Sequence, residues 1–290
     1  MREYTGLEIA VIGMSGRFPG AEDLNEFWDN LKNGVESIQS LSDEDLIKEG
    51  EIRSMLDNPL YVKASSYLDN KEYFDSAFFS YRPDEARLMD PQTRIFHECV
   101  WKALEGAGCN AFEYKGKIGL FAGASSNLNW EVYSNFINKD GLVDDFSAML
   151  LRNVEFINTR ISYLLNLRGP SIFLTTACST SLVSIQQACK SLLTAECNIA
   201  IAGGVTIKNH SKKVYLFKDG GINSQDGHCR AFDELSNCTV IGEGVGVVVL
   251  KTLKNALKDR DNILAIIIGN GINNDGNNRV GYTAPGIDGQ

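Results

Sequence analysis

One of the seven cysteines stands where a thiol can react. Cys178 lies in "TTACSTSL", residues 175–182, directly after the apolar residues Ile172, Phe173 and Leu174 and directly before an amphipathic stretch. A strand ending there and a helix starting at once form a tight turn that lifts a nucleophile into a pocket. The small neighbours Ala177 and Ser179 suit so crowded a turn. A helix start supplies unpaired N–H groups and the positive end of the helix dipole, which favour thiolate over thiol. The same N–H groups can hold a developing oxyanion. The plain alternative is a small buried apolar residue, as most lone cysteines are. Cys99, Cys189 and Cys197 fit that description, because they fall in helical or helix-end stretches.

A thiol nucleophile ordinarily works with a base or proton donor, most often histidine. The chain has three: His97, His210 and His228. The spacing puts His97 mid-helix, on a partly exposed side away from Ile95, Phe96, Cys99, Val100 and Ala103. His210 lies in the polar "KNHSKK" and His228 in the polar loop "SQDGHCRAFD". None marks itself as the partner of Cys178, so a papain-like Cys/His pair has no support. His97 and Cys99 lie two apart with no further ligand near, which argues against a metal site. Gly242, Gly244 and Gly246 of "GEGVGVVVL" lead into a strand, so they read as close backbone packing rather than a phosphate loop. "GNGINNDG", residues 269–276, reads as a turn region that could border a pocket.

The elements that must hold Cys178 are legible as apolar runs. Strands are expected over residues 7–20, 117–126, 171–177, 198–205, 242–253 and 263–276. Helices are expected over 24–34, 90–108, 145–165 and 179–196. Asp90 can cap the second, with Pro91 in its first turn and Gly106 and Gly108 at its end. The last should turn Leu182, Val183, Ile185 and Leu193 toward a core. Residues 40–80 are polar but carry Tyr67, Tyr73, Phe74, Phe78 and Phe79, which reads as an ordered excursion rather than a linker. Apolar strands alternating with helices predict an α/β sheet covered on both sides. The 290 residues, 43% hydrophobic and 22% charged, suffice for a buried core. A formal net charge of −9 argues against nucleic acid or an anionic membrane as partner, and "KNHSKK" reads as a solvated loop. No run reaches membrane-spanning length and no signal peptide opens the chain, so the odd set of thiols is expected to be reduced and cytoplasmic. The chain stops fourteen residues after Gly276, leaving little to cover the last strand, which reads as an incomplete domain.

Five blocks in order resemble the ketosynthase (β-ketoacyl synthase) domain of modular type I polyketide synthases, including hybrid peptide–polyketide and trans-acyltransferase systems. They are "IAVIGMSGRFPGAEDLNEFWDNLKNG", "FDSAFF" with "DEARLMDPQTRIFHECVWKALEGAG", "GPSIFLTTACSTSLVSIQQACKSLL", "GGINSQDGHCRAFDELSNCTVIGEGVGVVVLK" and "NNDGNNRVGYTAPGIDGQ". The resemblance implies a thiolase-like fold, layered α/β/α/β/α. Residues 1–255 would form its first half and 256–290 the start of the second. It implies that Cys178 is the acyl-accepting catalytic residue, and places Thr283, Ala284 and Pro285 as candidate substrate-binding residues. It implies no directly bound cofactor or metal. Substrates would ride on the phosphopantetheine of an acyl carrier protein, with other polyketide synthase domains as partners and a homodimer as the complete domain's state. The implied reaction is a decarboxylative Claisen condensation of the Cys-bound acyl group with a carrier-bound malonyl-type extender. The family's two catalytic histidines belong to blocks that do not occur in these 290 residues, nor do its lysine and the glycine-rich loop that completes the oxyanion hole. Many members have Asp where this chain has Thr175, and others, from hybrid peptide–polyketide systems, carry a neutral residue there, so this departure alone does not imply inactivity. With the histidine blocks absent, the competing expectation is a truncated or non-elongating relative that binds or transfers acyl chains without condensation.

Overall fold

The computed structural model describes residues 4–208, 214–279, 281–282, 284 and 286–289. The elements that carry the site run in chain order as β1 (Ile9–Arg17), α1 (Leu24–Lys32), α2 (Pro83–Leu88), α3 (Pro91–Gly106), β2 (Ile118–Ala124), α4 (Leu128–Ile137), α5 (Asp145–Arg152), α6 (Ile157–Leu164), β3 (Ser171–Phe173), α7 (Thr180–Leu193), β4 (Ile199–Thr206), β5 (Gly244–Thr252), α8 (Leu253–Asp259) and β6 (Ala265–Ile267). The six strands make one sheet in the order β6-β1-β5-β4-β2-β3. β3, β2 and β4 are parallel neighbours, while β5 is antiparallel to both β4 and β1. β6 adds antiparallel to β1 at the sheet edge and is only three residues long.

The sheet is covered on both faces, as the alternating pattern requires. On one side Ile95, Phe96, Val100 and Ala103 of α3 and Ile157 and Ile161 of α6 pack on Ile118, Leu120, Val247 and Val249. On the other, Ala188, Cys189 and Leu192 of α7 pack on Val11, Phe121, Ala202 and Leu250. Asp90 caps α3 by accepting from the Gln92 N–H at 2.8 Å, with Pro91 in the first turn. Gly244 and Gly246 of "GEGVG" are not themselves tightly packed, since a methyl on either would meet nothing closer than 3.7 Å; the glycine that close packing requires lies on the neighbouring strand. A methyl group on Gly203 of β4 would collide with the Gly246 carbonyl oxygen of β5. The excursion over 40–80 is ordered, with two-residue ladders pairing Gln39–Ser40 with Ala64–Ser65 and Tyr61–Val62 with Tyr215–Leu216.

Several expectations need correction. The helix expected over 145–165 is broken at Asn153, whose extended backbone separates α5 from a 3-10 turn (Val154–Phe156) leading into α6. α4 was not expected at all. Its Leu128, Val132 and Phe136 face outward and only Trp130 and Ser134 are buried, so it carries no inward apolar stripe. On α7, Leu182 and Leu193 point away from the core, with Leu182 72% exposed; Ser184, Ala188, Cys189, Ser191 and Leu192 are the buried residues. The cause is close approach. Over Gly204 there is so little room that an added methyl would reach Ser181 Oγ at 2.5 Å, so small side chains face the sheet. His97, placed by spacing on a partly exposed side, is fully buried. Phe74, Phe79 and Tyr81 pack around it with ring centroids 5.4–6.4 Å away.

Candidate active site

β3 ends at Phe173, earlier than the apolar run suggests, because the chain must turn. Leu174 still donates to the Ala122 carbonyl of β2 at 3.1 Å. Residues 177–179 then form a single 3-10 turn that runs straight into α7. Ala177 has φ +55, a left-handed conformation that costs an L-residue about 1–2 kcal/mol. Hydroxyls tie the turn down. Thr180 Oγ1 accepts from the Thr176 N–H at 2.9 Å and donates to the Ala177 carbonyl at 2.8 Å. Ser179 Oγ lies 2.9 Å from both the carbonyl and the hydroxyl of Thr176. Spent on Thr176, the Ser179 side chain makes no capping bond to α7.

Cys178 sits in this turn with an exposed side chain. It lines a cleft of about 490 Å³ with Gly123, Ala124, Ser125, Ser126, Thr175, Ala177, Thr180, Ser181, Gly204, Val205, Thr206, Ile241 and Gly242. The parallel strands β2 and β4 deliver their carboxyl ends to this cleft, and β5 is approached through it. No room is spare beneath the turn: a methyl group on Gly123 would collide with the Leu174 carbonyl oxygen. The arrangement leaves the thiol free to approach an acyl group in the cleft.

No described residue of the cleft lining is a histidine. His97 Nδ1 donates to the Thr93 carbonyl at 2.8 Å and Nε2 lies 3.4 Å from Tyr81 Oη, and burial pushes its pKa down to about 4. His228 is exposed and its Nδ1 is 2.8 Å from the Glu36 carboxylate. His210 and the rest of "KNHSKK" after Lys208 lie outside the described residues, as do Thr283 and Pro285. Ala284 is described. It donates to the Gly281 carbonyl at 3.2 Å and does not line the Cys178 cleft. Thr175 lines the cleft beside Cys178.

Behind the cleft lie buried polar residues, of which sequence reasoning singled out only Asp90, as a helix cap. Glu243 and Lys71 form a buried ion pair at 2.7 Å, with side chains 2% and 10% exposed. The Glu243 carboxylate also accepts from the Leu68 N–H at 2.8 Å and the Lys208 N–H at 2.7 Å. A lone acid in the apolar, glycine-rich "IGEGVGVVVL" was the available signal. Asp90 is fully buried between Gln92 and Asn127, and burial raises its carboxyl pKa to about 6. Asn158 reaches under the cleft to the Ala122 carbonyl at 3.1 Å and the Ile172 carbonyl at 2.5 Å, which joins β2 to β3.

Over residues 7–256 the chain matches the β-ketoacyl synthase N-terminal domain. It belongs to the β-ketoacyl synthase family. A similar sequence occurs in a phenolphthiocerol/phthiocerol polyketide synthase of Mycobacterium tuberculosis, 44% identical over 285 residues, which are 96% of this chain and 19% of that one. Polyketide synthase PksN of Bacillus subtilis is 39% identical over 292 residues, covering 99% of this chain and 5% of the synthase. Among solved structures, ketosynthase twelve of the bacillaene polyketide synthase of Bacillus amyloliquefaciens superposes with a TM-score of 0.90 at 36% identity, over 98% of this chain and 50% of that one. The module 1 ketosynthase of the bacillaene synthase from the same species gives 0.84 at 38% identity, over 98% and 49%. The fold is thus thiolase-like, as the resemblance implied. The chain spans about half the length of these ketosynthases and a small part of the curated synthases. Among the described residues, no helix is long and apolar enough to cross a membrane.

Proposed function

We propose that Cys178 accepts an acyl group from a thioester on the phosphopantetheine arm of an acyl carrier protein, the first half-reaction of a polyketide ketosynthase. The thiolate sulfur bonds to the thioester carbonyl carbon, the carbonyl oxygen takes negative charge, and the carrier thiolate leaves as the carbonyl re-forms. The observation that carries this reading is one exposed thiol in the turn before α7, in a cleft at the carboxyl ends of parallel strands. In the complete domain the acyl-cysteine would then meet the enolate made by decarboxylation of a carrier-bound malonyl unit. That step needs groups to stabilise the enolate, and the family places those histidines in blocks outside these residues. His97, buried among aromatic rings, and His228, paired with Glu36, have other surroundings. Residues 1–255 would be the first thiolase-like half and 256–290 the start of the second, with Thr283, Ala284 and Pro285 toward the substrate arm. Other synthase domains and a second copy of the complete domain would be its partners. A non-elongating relative that only passes acyl chains is the second reading, because no described residue of the cleft lining is a histidine.

The test is incubation with an acyl N-acetylcysteamine thioester followed by intact-mass and peptide mass spectrometry. A single acyl adduct on Cys178, absent in Cys178→Ala, is the expected result. An adduct on another residue, or none, would overturn the reading. Addition of malonyl-carrier protein then separates condensation from simple acyl transfer.

A further inference from the structure

Gln92 lies in the first turn of α3 and is fully buried. A buried carboxamide must place its donors and its acceptor, and this one does so on two strand ends. Its Nε2 donates to the Ser125 carbonyl at 2.9 Å. Its Oε1 accepts from the Ile207 N–H at 3.4 Å and from the Ser125 N–H at 3.1 Å, the latter shared with the Val205 carbonyl at 3.3 Å. Two N–H groups on one side and a carbonyl on the other leave only one orientation of the amide.

Ser125 follows β2 and Ile207 follows β4. The β2–β4 ladder has its last paired residues at Ala124 and Val205, so both contacts lie just beyond it. Ser125 Oγ and Thr206 Oγ1, 2.7 Å apart, complete the join, and both residues line the Cys178 cleft. We propose that Gln92 is a positioning residue for the cleft. Its carboxamide adds one side-chain rung beyond the β2–β4 ladder and fixes the wall against which an acyl thioester must lie. The role rests on the reading of Cys178 as acyl acceptor, and acts on substrate placement rather than on the thiol itself.

The test compares the full chain with Gln92→Leu, which keeps the volume and removes all three hydrogen bonds, and Gln92→Glu, which keeps the acceptor but turns a second oxygen toward the Ser125 carbonyl. Acylation of Cys178 is followed against the concentration of octanoyl N-acetylcysteamine, alkylation against iodoacetamide, and amide exchange in peptides holding Ser125 and Ile207. Losing these bonds should raise the half-saturating thioester concentration of Gln92→Leu by about tenfold, a loss of about 1.4 kcal/mol, in the range of one or two net hydrogen bonds. The maximal acylation rate and the iodoacetamide rate should stay near wild type, Gln92→Glu should be affected at least as much because its oxygen faces a carbonyl, and exchange should quicken at Ile207 and, to a smaller extent, at Ser125, which keeps the Val205 carbonyl. An unchanged half-saturating concentration overturns the proposal. So does a parallel fall of both rates with melting temperature, which would mark a purely structural residue. If the wild type takes up no acyl group, the acyl-acceptor reading fails, and exchange decides Gln92 alone: unaltered protection of Ser125 and Ile207 overturns its role, and faster exchange supports it.

Discussion

The ion pair behind the cleft gives the most demanding test of this structure. Lys71 Nζ lies 2.7 and 2.9 Å from the two Glu243 oxygens and 3.1 Å from the Lys208 carbonyl. Lys71→Met keeps most of the side-chain volume but leaves a buried carboxylate with, among the described residues, the Leu68 and Lys208 N–H groups as partners. Breaking one side of a buried pair costs about 3–5 kcal/mol, a large share of the about 5–15 kcal/mol that holds a domain together. At about 2 °C per kcal/mol for a chain of this size, the melting temperature should fall by about 6–10 °C. Replacing both partners, Lys71→Met with Glu243→Gln, removes the stranded charge while the amide oxygen still accepts. That double variant should recover more than half of the loss. Thermal unfolding followed by circular dichroism, with urea titration as a check, measures both. A single variant within about 1 °C of wild type, or a double variant no better than the single, would refute the account. Because Gly242 adjoins Glu243 and lines the cleft, the single variant should also slow acylation of Cys178.

Other consequences are as direct. The pKa of His97, held near 4 by burial instead of 6.5, makes stability complete above about pH 6.5 and erodes it as pH falls toward 4, by about 1.4 kcal/mol per unit. Asp90, raised to about 6, acts in the opposite sense, stabilising at low pH and losing that contribution as pH rises through 6. His97→Phe removes only the first effect, so its stability relative to wild type should climb as pH falls from 7 to about 4.5; parallel curves by denaturant titration would sink the assignment. Limiting iodoacetamide should label Cys178 first. Burial pushes Cys99 and Cys189 up to about 11 and raises Cys109 and Cys197, leaving Cys229 and Cys238 as the exposed competitors. Preferential labelling of either competitor in peptide maps would contradict the site. Gly123→Ala drives a methyl into the Leu174 carbonyl, so about 1–3 kcal/mol of stability and much of the acylation rate should be lost. Unchanged melting and acylation would mean the elbow is not packed as described.

What could be read in advance depended on whether the cause was local. The strands of the sheet and the cap of α3 rest on residues adjacent in sequence, and Asp90 and Pro91 announce that cap by themselves. The elbow at Cys178 was legible for the same reason, since apolar run, small residues and amphipathic run follow one another. His97 was misplaced because its surroundings come from elsewhere: Phe74, Phe79 and Tyr81 are supplied by the excursion and the segment after it, and no helical period encodes them. Leu182 misled because an apolar stripe shows only that a face is apolar, not which neighbour covers it. The first turn of α7 passes so close over Gly204 that only a small side chain fits there, which a period cannot report. Gln92 and Lys71 were invisible as site residues, since their partners lie 33 and 172 residues away.

The placement of the thiol follows from the direction of the strands. β2, β3 and β4 run parallel, so their carboxyl ends emerge on one edge of the sheet, where ligands of open α/β sheets gather. A chain leaving β3 must turn back across the sheet, and a helix begun immediately has its N–H end at that edge. Cys178 therefore owes its place at that edge to topology rather than to dedicated side chains. The strand ends themselves are the weak point, because a parallel ladder stops before its residues do. Gln92 spans the ends of β2 and β4, Asn158 spans β2 and β3, and Glu243 ties Leu68 to Lys208 beyond β4. These buried polar side chains do at the edge what backbone rungs do within the sheet. An active thiol needs its walls held in one geometry, so buried polar side chains gather where the apolar core can no longer hold the strands.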